Sequence, residues 1–109
     1  MSSYKLTERI AGKVRHQSFD DLPTAIDALE RRGHELQGKA DTDVVGGTLM
    51  RQFEPKDQVV ARLELSVKAG VDIRGDGSAV PFTGKWRRRI VERKEGESAY
   101  AALRRAVAE

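Results

Sequence analysis

Lys85, Arg87, Arg89 and Arg93 recur at even spacing near the end of the chain. Side chains of a strand alternate between its faces, so same-face neighbours stand about 7 Å apart. If residues 85–93 form a strand, these four cations share one face with Val91. Trp86, Arg88, Ile90 and Glu92 share the other, which is the better core face, with the Arg88 stem along Trp86. Two like charges about 7 Å apart repel by roughly 0.6 kcal/mol in water and about 2.4 kcal/mol at an effective dielectric of 20. A row of four therefore calls for acidic neighbours or for an anionic ligand. Planar guanidiniums match phosphate oxygens in pairs. Phosphate-backbone contact is the chemistry this spacing offers, and Arg104 and Arg105 in the next element extend the candidate set.

The charge balance points the same way. The net charge of the 109 residues is only +3, but residues 85–109 hold eight Lys and Arg against four Glu. The preceding 84 residues carry twelve against thirteen, so the excess is confined to the last strand and helix. Arg outnumbers Lys thirteen to seven, which suits phosphate recognition, although an Arg-rich coding bias gives the same ratio.

Stepwise alternation and turn residues supply the elements that position this row. Tyr4–Ile10 and Val14–Phe19 alternate on either side of Ala11-Gly12-Lys13 and read as a hairpin. Asp20 and Asp21 offer N-caps to a helix from about Leu22 to Arg32, with Leu22, Ala25, Ile26 and Leu29 as its stripe and Gly33 as its stop. Residues His34–Asp43 read as a loop, Val44–Phe53 as a strand weakened by Gly46-Gly47, and Glu54–Asp57 as a turn. From Gln58 to Lys68 the alternation is strict: Val59, Ala61, Leu63, Leu65 and Val67 on one side, Arg62 and Glu64 on the other. Ala69-Gly70 ends that strand. Val71–Arg74 and Ser78–Phe82 flank the turn Gly75-Asp76-Gly77. After the strand over 85–93, Ser98 caps a closing helix that buries Tyr100, Leu103 and Val107 with Ala99 and Ala106. The expected fold is a single α+β domain over residues 1–109, with an antiparallel sheet of about five to seven strands and two helices on one face.

An internal echo runs through this order. GKVRHQSF leading to TAIDALERR matches GKWRRRIV leading to AYAALRRA, as if two hairpin–helix halves made the domain. The hairpin with Gly-Lys-x-Arg followed by a helix resembles small sheet-based DNA-binding modules such as the arm-binding domains of phage integrases. That resemblance implies DNA contact through the sheet. The element order is also similar, in topology alone, to ribosome hibernation factors.

Other chemistry finds no support in the residues. There are no cysteines, and His16 and His34 lack the spacing of a zinc pair. Asp72 to Ser78 lacks the ligand pattern of a calcium loop, and Arg74-Gly75-Asp76 reads as a turn. Asp41 and Asp43 read as solvated loop acids. No phosphate loop, dinucleotide fingerprint or nucleophile elbow occurs, and no serine has a visible base. The expectation is a non-enzymatic protein with no metal and no cofactor. MSSYKLTERI is no export signal and no apolar run is long enough to span a bilayer, so a cytoplasmic, non-membrane protein is expected. Two functional readings follow: DNA or RNA binding through the basic strand, or a protein-interaction or homodimerising module in which that strand is a salt-bridged wet face.

Overall fold

The computed structural model describes residues 3–46, 59–84 and 87–108. The strand expected over residues 47–53, the turn Glu54–Asp57, and Gln58, Lys85 and Trp86 lie outside them.

The chain opens as the alternation requires, with β1 (Tyr4–Ile10) and β2 (Lys13–Phe19) paired antiparallel and closed by Ile10 opposite Lys13. Ala11 and Gly12 form the two-residue connection, with φ of 51° and 81°. Two positive φ values in succession mark a type I′ turn, whose favoured first residue is Asn because alanine is strained there. Ala11→Asn is therefore expected to raise stability by about 0.5–1 kcal/mol. A thermal melt checks it; an unchanged or lower Tm would show that Ala11 is under no strain.

Asp21 caps α1 (Leu22–Gly46), its Oδ1 accepting the Thr24 N–H at 2.8 Å, with Pro23 in the first turn. Ala25, Ile26, Leu29 and Leu36 form the buried stripe. The expected stop at Gly33 and loop from His34 are corrected here. The helix runs straight through, because Gly33 is where the Tyr100 ring lies against it: a Cβ on Gly33 would stand 2.7 Å from the ring Cζ. Val44–Gly46, expected to start a strand, is the end of this helix.

The rest of the sheet follows as β3 (Val59–Leu65), β4 (Ala69–Arg74), β5 (Ala79–Thr83) and β6 (Arg89–Ile90), before α2 (Ala99–Ala108). The strand order is β2-β1-β3-β4-β5-β6, and every neighbouring pair is antiparallel. The protein is thus α+β, its described residues forming a six-stranded antiparallel sheet with two helices. Leu6, Leu63, Leu65, Val71, Ile73 and Ala79 project from one face into a single cluster with Ile26, Leu29, Tyr100 and Leu103, so both helices cover that face. Ser98 caps α2 through its Oγ, which accepts the Ala101 N–H at 3.0 Å.

Ala69-Gly70 does not end a strand; both residues open β4. The reversal is Ser66-Val67-Lys68, with the Lys68 N–H donated to the Leu65 carbonyl at 3.1 Å and Lys68 at φ 62°. That is the three-residue hairpin whose last residue is left-handed. The turn at Gly75-Asp76-Gly77 forms as expected, Asp76 Oδ1 accepting the N–H and the hydroxyl of Ser78 at 2.9 and 2.6 Å. The order of strands reads alike from both edges. A hairpin feeding a helix stands at each side of the central β3–β4 pair, and Gly12 and Gly84 of the sequence echo both take positive φ, 81° and 97°.

Candidate nucleic-acid interface

Residues 87–93 are exposed except for the half-buried Val91, but only Arg89 and Ile90 are strand. Over its described part, residues 87–93, the long strand expected from Lys85 to Arg93 is corrected to this short edge. Pro81 supplies the reason. Its carbonyl points towards β6 and accepts the Val91 N–H at 2.9 Å, so its ring nitrogen faces the same way and has no proton to give. One rung of the ladder is absent by chemistry, and the pairing stops at Phe82–Ile90 and Thr83–Arg89. Pro81 was the signal in the sequence that the adjoining strand would be short.

The register also reverses the expected faces. Thr83 belongs to the helix-bearing side with Ala79 and Pro81, so Arg89 opposite it points to that side at the edge of the sheet. Ile90, opposite Phe82, lies on the open side and is 64% exposed rather than core. Arg88 is on the open side too. It stands 5.4 Å above the centre of the Phe82 ring and 3.5 Å from Glu64 Oε2.

The six candidate cations separate into two groups. Arg87, Arg89 and Arg93 are exposed and, among the described residues, have no carboxylate within ion-pairing distance; Lys85 lies outside those residues. Arg104 and Arg105 are engaged within the fold. Arg104 pairs with Asp27 at 2.7 Å and with Glu30, tying α2 to α1, and its hydrogen bond is the main cause that holds the Glu30 carboxyl below its usual range. Arg105 donates to both oxygens of Glu97 at 3.0 Å and to the Glu92 carbonyl at 2.8 Å. Those bonds, followed by the Lys94 N–H, bring the Glu97 carboxyl down to about 2. Arg104 and Arg105 are therefore fasteners of the last helix.

Beside this edge lies a set of which the sequence reading placed Arg62 and Glu64 on a wet face but did not join them to β1 and β4. Odd residues of β1 and even residues of β3 and β4 face away from the helices, placing Lys5, Thr7, Arg9, Arg62, Glu64 and Asp72 on the open face. Glu64 Oε1 accepts from Arg9 Nε at 3.0 Å, and Asp72 accepts two bonds from Arg62 at 2.6 and 3.2 Å. Hydrogen bonding to Asp72 raises the Arg62 pKa, so its charge is permanent. The alternation of Lys5 and Arg9 in β1 was the available signal. Among the described residues, no group of three His, Asp or Glu could hold a metal ion, and no helix is long and apolar enough to cross a membrane.

Compared with protein-family models, curated proteins and solved structures, the chain matches none.

Proposed function

We propose that the protein binds nucleic acid through phosphate contacts made by the edge segment that carries Arg87, Arg89 and Arg93, in keeping with a cytoplasmic place of action. One observation carries the reading. Arg9, Arg32, Arg62, Arg88, Arg104 and Arg105 each meet a carboxylate, whereas these three, like the isolated Arg15 and Arg31, are exposed and unmatched among the described residues, and they stand together in one segment. An exposed, uncompensated guanidinium is what a phosphate neutralises with least desolvation of partners already made.

Contact with three phosphates gives a salt slope of about −2 on a single strand and about −2.7 on duplex. Affinity should then fall roughly 20- to 40-fold between about 50 and 200 mM salt. Arg87→Glu with Arg89→Glu is expected to abolish binding and leave the melting curve in place, since neither residue is packed. Titration of labelled oligonucleotides checks both; no binding by the parent protein at low salt ends the proposal.

A second reading, a protein-interaction or self-associating module, draws on β2. The regular strand Val59–Leu65 is central and has no free edge, but β2 does, and nearly all of its residues are exposed. In a two-residue hairpin the closing pair exchanges both bonds, so Val14, His16 and Ser18 turn their N–H and C=O groups outward. Lys13 and Arg15 guard that edge against a second basic copy. Light scattering at two concentrations separates the readings, because self-association gives an oligomer with no nucleic acid present.

A further inference from the structure

We infer that the open face of the sheet is the seat of a single-stranded nucleic-acid segment, running from β1 across to the Arg87 edge. The inference rests on the nucleic-acid reading above and adds which surface and which form of the polymer.

The charge count of this face decides its partner. Lys5, Arg9, Arg62, Lys68 and Arg88 stand against Glu64 and Asp72, an excess of three positive charges. Both carboxylates are already committed. Glu64 lies between Arg9 and Arg88, and Asp72 is held by Arg62. They fix guanidiniums in place rather than repel an incoming anion. Lys5 and Lys68 are exposed, with no carboxylate in ion-pairing distance among the described residues. They line one hollow of about 250 Å³ with Thr7, Arg9, Ser66 and Phe82. The Ser66 hydroxyl accepts the Lys5 N–H at 3.1 Å, which leaves its own hydrogen to be donated outward. Two ammonium groups, a guanidinium and a hydroxyl around one hollow make a phosphate seat, the one carboxylate that also lines it, Glu64, being held by Arg9 and Arg88.

The surface beyond the hollow selects the single strand. Phe82 is 3% exposed although neither α1 nor α2 lies on its side of the sheet, because the guanidiniums of Arg62 and Arg88 stand over its ring at 5.7 and 5.4 Å. Guanidinium planes accept unstacked bases, which a duplex keeps inside. Among the described residues, the face carries no helix or protruding ribbon that could enter a groove. From β1 through β3, β4 and β5 to β6 there are four strand steps, about 19 Å at the usual spacing, room for about four nucleotides.

The test is fluorescence anisotropy at about 50 mM salt with a labelled oligothymidylate of about twelve residues and a duplex of the same length. Lys5→Glu with Lys68→Glu is compared with Arg87→Glu with Arg89→Glu, and Lys5→Gln with Lys68→Gln serves should charge reversal disturb the fold. The parent is expected to prefer the single strand by about tenfold, and the lysine reversals to weaken it by about tenfold and flatten the salt slope by about 1.4. The open-face placement is overturned if the lysine variants bind within about twofold of the parent while the arginine variant loses binding, and the edge reading then survives. It is also overturned if the duplex binds more tightly. Absence of binding by the parent to either probe removes the inference and the proposed function together.

Discussion

Replacing Leu63 by alanine is expected to remove about 2–5 kcal/mol of stability. Leu63 is fully buried at the middle of β3, a central strand paired on both sides, opposite Glu8 of β1 and Val71 of β4. It shares the core with Leu29 of α1 and Leu103 of α2, both also at 0% exposure. Truncation therefore leaves a cavity beneath α1 and between β1 and β4, none of which can close on it without dragging its own partners. Against a total of about 5–15 kcal/mol for a domain of this kind, the loss is a large fraction. Urea denaturation with an unchanged slope and a lower midpoint is the expected record. A loss below about 1 kcal/mol would show that α1 does not pack tightly over this strand.

What was legible in the chain and what was not divide along the range of the interaction. The alternation of Ala61, Leu63 and Leu65 against Arg62 and Glu64 is a local signal, and these residues divide between core and open face as it requires. Asp21 and Ser98 cap the helices they precede, because a cap is made within three residues. The helix stop at Gly33 and the strand end at Gly70 were misread for one common reason. A glycine reads as punctuation in sequence, yet each of these makes room for a ring from another element, Tyr100 of α2 on Gly33 and Phe82 of the neighbouring strand on Gly70. Of the candidate site, Arg87, Arg89 and Arg93 were legible as a charge excess. The engagement of Arg104 with Asp27 and Glu30 was not, since its partners lie in the other helix. The face assignment failed on register alone. Sliding a strand by one residue exchanges its faces, and nothing within 85–93 fixes that register; the pairing of Phe82 with Ile90 does.

Gly70→Ala is the second large effect, and it connects the core to the open face. A single methyl there would press on the Leu63 carbonyl oxygen, and would stand 2.8 Å from Phe82 Cζ and 3.0 Å from Glu64 Cα. Alanine gains about 0.5–1 kcal/mol over glycine by restricting the unfolded chain. Overpacking in a formed sheet takes away about 1–3 kcal/mol, and more where the obstacle is backbone. The net expectation is a loss of about 2 kcal/mol. Phe82→Leu in the same chain separates the two obstacles. Removing the ring edge relieves one contact but leaves the carbonyl, so the double variant should recover only part of the loss, read as a coupling in a double-mutant cycle. A neutral Gly70→Ala would mean that Phe82 is not pressed onto β4. The consequence would reach beyond stability, because Arg62 and Arg88 stand over that ring and Glu64 spans from Arg88 to Arg9. One glycine in a central strand thus sets the height at which the arginines of the open face are held.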